Sequence, residues 1–320
     1  MHRYHAQYEI KIMCRVLCVS RGGYYTWVKR QEAPPSRREM ANQELTAAIQ
    51  TTFKRSRSTY GAPRIYAELK STGTECSLNR EARLMRKAGI QARTRRKYKV
   101  TTTNSRHSYP VAPNTLNRQF WAGGPNEKWV GDITYVATKE GWLYLTAVLD
   151  IYSRKVVGWA MDKQMEQELV ASALQMATAH RRPGDGLLHH TDRGSQYAAH
   201  DYQQLLSTNN MAVSMSRKGD CWDNAVIESF WSTLKAECAT GIYNSRAEAR
   251  QSIFEYVEVW YNRQRRHSAL GYASPEAFEA AHYLNVAESS LSVSPNYRIG
   301  MISAVIMLCY TSPSNTYIHC

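Results

Sequence analysis

Three strand-like runs, KWVGDITYVAT, GWLYLTAVLDIYS and KVVGWAM, follow one another after Asn126 with only short turns near 139–141 and 152–155 between them. Turns that short join neighbouring antiparallel strands. The pattern then alternates: a helix over about Glu166–His180, a strand in GLLHHTD, a helix over Ala199–Thr208, a short strand in AVSMSR and a helix over Asn224–Cys238. Three antiparallel strands followed by alternating helices and strands predict an α/β unit, a mixed sheet with flanking helices. Residues 254–282 read as helix, basic stretch, turn and a helix opened by proline, and beyond 284 the pattern dissolves.

The front of the chain has a different texture. Residues 1–120 hold 24 of the 41 Lys and Arg but 7 of the 27 acidic residues, a net of +17 against −3 for the rest. A basic, helical front on a near-neutral back predicts a polyanion-binding part joined to something else. YEIKIMCRVLCVSRGGYYTWVKR reads as helix, tight turn, helix, with Ser20 as the N-cap of the second. Pro34-Pro35 breaks the chain. A helix is then expected from Arg37 to about Lys54, another over Arg64–Ser71, and a third, capped by Ser77, to about Lys87. Arg80, Arg83, Arg86 and Lys87 lie along one side of the third, where the plain alternative is a solvated face. Arg95, Arg96 and Lys97 follow in a basic stretch suited to a phosphate backbone. The expected division is 1–35 and 36–98 as all-α helix-turn-helix modules, 99–125 as a basic linker, 126–284 as the sheet unit and 285–320 as an atypical, disordered tail.

In this order the elements of the sheet unit give a ribonuclease-H-like topology, and three acids mark it. Asp132, the first aspartate of the chain, falls on the first strand. Asp192 ends the strand after the first helix, and Glu228 sits in the helix DNAVIESFWSTLK, with 35 residues between it and Asp192. The strands of Asp132 and Asp192 are neighbours in such a sheet. Three carboxylates delivered this way suit a pair of Mg²⁺ ions about 3.5–4 Å apart over a phosphodiester, with Mn²⁺ able to substitute. Taken singly, each acid is an ordinary turn, cap or solvated helix residue. Lys235, two turns after Glu228, shares its face and is placed to meet a DNA phosphate. Asn224 is placed to cap that helix or bind DNA, and Ser195 and Gln196 to touch the substrate backbone or close a turn. His189 and His190 point to opposite faces of a strand and are read as packing and substrate contacts. His2, His5, Cys14 and Cys18 carry zinc-type residues, but the cysteines lie four apart on a predicted helix and zinc is not favoured.

Taken together, WVGDITYV, HTDRGSQY, DNAVIESFWSTLK and YNRQRRHSALGYASPEAF resemble the second-frame transposases of bacterial insertion sequences encoded by two overlapping frames. MCRVLCVSRGGYYTW and YGAPRIYAELK resemble the same family, and the resemblance spans residues 5–284. It implies an integrase catalytic core of retroviral-integrase type with Asp132, Asp192 and Glu228 as the triad and Lys235 as the basic residue beyond it. It also implies the reaction: water cuts at the element's end, and the exposed 3′-hydroxyl attacks a second phosphodiester. Double-stranded DNA, a first-frame product joined by frameshifting and further copies of the chain are the implied partners. A DNA-binding regulator without catalysis and a nuclease that does not join are the competing readings. The polar N-terminus, odd cysteine count and lack of a long apolar run predict a cytoplasmic protein with no membrane span.

Overall fold

The computed structural model describes residues 1–93 and 108–293. Two compact units divide after Ala92. Arg95, Arg96, Lys97 and the tail beyond Val293 lie outside the described residues.

The first unit is all helical. α1 (Ile10–Val16) and α2 (Arg21–Glu32) form the expected pair, and the Ser20 hydroxyl accepts from the Gly23 amide at 3.0 Å. α3 (Arg37–Arg55) opens with a capping box in which Ser36 and Glu39 satisfy each other's backbone amides. α4 (Ala62–Ser71) starts two residues earlier than its pattern suggests because Pro63 fits the first turn, where no amide donor is needed. α5 (Leu78–Lys87) is capped by Ser77, as its sequence predicts. Ile49, Ile65, Leu69, Leu84 and Met85 form the core of this three-helix module. Glu81 is buried with them, neither oxygen bonded, and burial alone pushes its carboxyl up to about 7.

The second unit carries a five-stranded sheet in the order β3-β2-β1-β4-β5. β1 (Lys128–Thr138), β2 (Gly141–Asp150) and β3 (Val156–Asp162) are antiparallel, whereas β4 (Leu188–Thr191) and β5 (Ala212–Met215) run parallel to β1. α6 (Gln167–Arg181) packs Val170, Ala173, Leu174 and Ala177 on the sheet. It approaches so closely that a Cβ at Gly158 would stand 2.1 Å from the Ala173 carbonyl, so only glycine fits there. The helix expected over Ala199–Thr208 is α8 (His200–Thr208), with Ala199 in extended backbone before it; a further short helix, α7 (Ser195–Ala198), precedes it where the sequence suggests only a turn. A 3₁₀ turn, Cys221–Asn224, leads into α9 (Ala225–Glu237).

After α9 the helices are longer than their sequence patterns predict. α10 (Arg246–Phe254) begins well before residue 254 and continues as a π-helix over Glu255–Tyr261. α11 (Pro275–Val293) runs past residue 284. The π-helical segment seals the edge of β3. Asn262 Oδ1 accepts from the Val156 amide and Asn262 Nδ2 donates to the Val156 carbonyl, both at 2.9 Å, so one side chain imitates a strand. Arg250 donates to the Met161 carbonyl, and Glu258 accepts from the Trp159 indole. Arg265 makes two bonds to Glu237 at the end of α9, and Arg181 makes two to Glu279 of α11.

Candidate active site at the edge of the sheet

Asp132 occupies the central strand β1, and Asp192 follows the last residue of β4 beside it. The register pairs Val130 with His190, so two residues further on the two aspartates stand level on adjacent strands. Strands of one sheet lie about 4.8 Å apart, which makes carboxylates on neighbouring strands close neighbours. Glu228 enters from α9, whose first turn it occupies. Trp231, three residues on and therefore on the same face, donates its indole N–H to Asp132 Oδ2 at 2.9 Å. That bond ties the helix to the strand. On the other side Thr146 of β2 donates to the Asp132 carbonyl at 3.1 Å.

The electrostatics show that the three acids feel one another. The Asp132 carboxyl is pushed up to about 8, first by burial and then by the charge of Asp192, with a smaller push from Glu228. The Ile133 amide and the Trp231 indole oppose the rise without cancelling it. A carboxylate held among carboxylates is short of positive charge. Lys235 supplies little of it: its ammonium lies over the Tyr135 ring at 4.9 Å, and burial lowers its pKa against the pull of Asp132. Among the described residues no three His, Cys, Asp or Glu side chains stand ready around one point. Asp132, Asp192 and Glu228 are the carboxylates that could converge on a cation here.

The other expected contacts have mixed placements. Gln196 donates to the Met165 carbonyl at 3.1 Å and accepts from Ser195 at 3.4 Å, so both hold the turn after Asp192 while staying partly exposed. Asn224 stands at the N-cap of α9 but makes no capping bond, and at 8% exposure it is nearly closed to any ligand. His189 and His190 are wholly buried, bonded to Tyr202 and Ser214 at 2.8 Å, and burial lowers their pKa values to about 3 and about 4. They are core residues; their complete burial removes the substrate contact expected from the sequence.

Two features carry no local signal in the sequence. The loop before α9 is clamped by Asp223, which is buried and accepts from Arg217, Arg118 and Asn114 at 2.7–2.9 Å. Arg217 first, and then Arg118, hold its carboxyl well below the usual range. Arg118 and Asn114 lie more than a hundred residues from Asp223, which no local pattern reveals. In the helical unit, Arg37 and Arg38 of α3 join Arg80 and Arg83 of α5 around a cavity of about 670 Å³. Arg80 is fixed there by Asn42 Oδ1 at 3.0 Å, and Arg83, Arg86 and Lys87 line the outer side of α5. Trp231 could have been found, since its spacing from Glu228 puts it on the same helix face.

Known proteins show the same two parts. An integrase core domain family matches residues 122–221, a second integrase core domain family matches 209–275, and an HTH-like domain family matches 40–98. The chain is 47% identical over 272 residues to an uncharacterized 31 kDa protein of insertion element IS600 from Shigella sonnei, covering 85% of this chain and 98% of that protein. It is 44% identical over 280 residues to transposase InsF of insertion sequence IS3A from Escherichia coli (strain K12), covering 87% and 96%. The catalytic core domain of HTLV-2 integrase, solved in complex with magnesium, aligns with 50% of this chain and 99% of that one at 17% identity and a TM-score of 0.36. Among the described residues no helix is long and apolar enough to cross a membrane.

Proposed function

The chain belongs to the insertion-sequence transposases with an integrase core, and on that premise we propose that Asp132, Asp192 and Glu228 are its catalytic triad for cutting and joining DNA. The observation that carries this reading is the placement of Asp132 and Asp192 on adjacent strands beside the helix of Glu228, which Trp231 ties to Asp132, so that the three acids act on one another. A fold tolerates such crowding where a cation relieves it in use. The donor set is all carboxylate oxygen, which fits Mg²⁺ or Mn²⁺ rather than a softer metal. Bound there, the ions would lower the pKa of an attacking water or hydroxyl and offset charge on the leaving oxygen.

The protein's own groups would do the rest. Asp132, Asp192 and Glu228 would hold the ions. Trp231 fixes one oxygen of Asp132, and Lys235 sits two turns past Glu228 where it can meet a phosphate. Ser195 and Gln196 hold the backbone that follows Asp192. In the first reaction a water oxygen bonds to phosphorus at the element's end as the bond to the 3′-oxygen breaks, freeing a 3′-hydroxyl. In the second, that hydroxyl bonds to a target phosphorus and displaces the target's 3′-oxygen, so one phosphodiester replaces another.

Duplex DNA is held in this reading by the helical unit. Arg37, Arg38, Arg80 and Arg83 offer a cavity rich in guanidinium groups, which fork onto phosphate oxygens. A side chain that neutralises one phosphate adds about 0.9 to the slope of log affinity against log salt. Replacing these arginines by alanine should therefore flatten the slope stepwise. A first-frame partner and association of several copies on DNA belong to the same proposal.

The test is a Mg²⁺-dependent cleavage and joining assay on a labelled duplex of the element's own end, with and without the first-frame partner fused. Joined product that disappears in Asp132→Asn and with chelator supports a transposase with this triad. Binding without cleavage, even in the fusion, favours a DNA-binding regulator instead.

A further inference from the structure

Trp222 stands in the 3₁₀ turn that runs directly into α9, six residues before Glu228. At 1.5–2 Å of rise per residue the two lie roughly 10 Å apart along the chain axis, about three base-pair steps. Its side chain is 69% exposed, and those of Trp121 and Trp142 are exposed too, at 77% and 46%, whereas Trp129, Trp231 and Trp260 of the same unit are buried; of the exposed three, Trp222 is the one that leads into the helix of Glu228. The fold does not use this indole, yet it holds the indole's backbone firmly. Asp220 accepts from the Trp222 amide at 3.2 Å, and Asp220 is itself paired with Arg118 and Arg217. The next residue, Asp223, is the buried clamp already described. Lys218, in the same loop, is exposed. A large flat apolar group is thus presented on rigid backbone at the start of the helix that carries a proposed catalytic acid.

We propose that Trp222 stacks on an unpaired base at the end of the bound DNA and holds the last pairs open beside the acids. Every base has a π face, so stacking on an indole needs no particular sequence and suits a residue that acts wherever the end lies. Opening a terminal pair costs unstacking free energy, which an aromatic surface on preordered backbone offsets. The clamp removes the entropy that a mobile loop would lose on binding. This inference rests on the reading that the sheet edge holds the reacting phosphate.

The full-length chain is mixed, in Ca²⁺ so that no cleavage is needed, with the element-end duplex carrying 2-aminopurine at successive terminal positions. A fluorescence change at one or two positions is expected for the wild type and for Trp222→Phe, and none for Trp222→Ala. With Mg²⁺, Trp222→Ala should cut and join the paired end more slowly, on the order of tenfold. An end with mismatched terminal pairs should restore its rate. The thermal midpoint of Trp222→Ala should match the wild type, because the side chain is exposed. Equal slowing on paired and mismatched ends, or a fluorescence change in Trp222→Ala as large as that of the wild type, overturns the proposal. So does a change in self-association with normal fluorescence, which makes Trp222 a protein contact. The fluorescence needs binding only; a wild type that opens the end but never cuts it counts against the triad and leaves the stacking intact.

Discussion

Asp132 and Asp223 are both withdrawn largely from water, and the chain treats their charges in opposite ways. Asp223 is surrounded by two guanidinium groups and an amide, so its charge is satisfied and its pKa lowered. Asp132 is buried with two further acids in its field, and the Ile133 amide and one indole N–H do not offset them, so its charge is opposed and its pKa raised. Both belong to one unit and flank one helix, α9. The difference separates a carboxylate that the fold satisfies from one that it leaves opposed, as the proposed catalytic role of Asp132 would require. Glu81 in the helical unit is a third case: buried, unbonded and raised by burial alone, with no other acid among the causes. Unbalanced charge alone therefore does not mark a site; the proposal for Asp132 rests on the further acids in its field.

The sharpest way to break the contrast is Asp132→Asn. Cleavage and joining should fall below detection, while the thermal midpoint stays level or rises because a repulsive charge has gone. A marked fall in the midpoint would mean that Asp132 is structural.

Glu81 gives the next largest effect. Its folded pKa, about 7, lies above its ordinary 4.5, so the neutral form favours folding. The stability of the helical unit should be greatest below about pH 4.5 and decline as pH rises through about 7, by at most about 3 kcal/mol. Hydrogen exchange of the α5 amides across that range reads this directly, and Glu81→Gln should flatten the profile. A flat wild-type profile would show that water reaches the carboxylate.

Asp223 should behave in the reverse sense. Its folded pKa lies below its ordinary 3.8, so the stability it contributes is present above that value and is lost as pH falls below it. Asp223→Asn should lower stability by about 2 kcal/mol in a neutral-pH denaturant titration, less than a fully buried pair because the half-exposed arginines can rehydrate. The smallest effect expected is for Trp231→Phe, which keeps the packing and removes one N–H. Stability should change by less than about 1 kcal/mol, and the rate should fall on the order of tenfold, the worth of one bond to a charged group. An unchanged rate would mean that the orientation of Asp132 does not depend on Trp231.

Much of this was legible in the chain because the signals are local. Strand runs, the caps at Ser20 and Ser77, and the placement of Asp132 and Asp192 on adjacent strands follow from period, turn length and topology. The short helix α7 escaped because four residues are a single turn, too few to show a helical period. The π-helix escaped because Tyr256, Val257, Trp260 and Tyr261 form one face at the ordinary helical period as well, so the wider turn leaves no mark in the pattern. Asp223 went unremarked because Arg118 and Asn114 lie far away in sequence, and Asn224 looked available because burial is a tertiary property. Arg37 and Arg38 became part of the basic cavity only once α3 lay against α5.

The seal on β3 bears on how copies of this chain could assemble. With both backbone groups of Val156 held by Asn262, and the Met161 carbonyl held by Arg250, that rim offers little to a strand from another molecule. A continuous sheet running from one subunit into the next is closed off on this side. In the assembly proposed above, copies that meet at this rim do so through helices, loops or the DNA itself, contacts that can form and release.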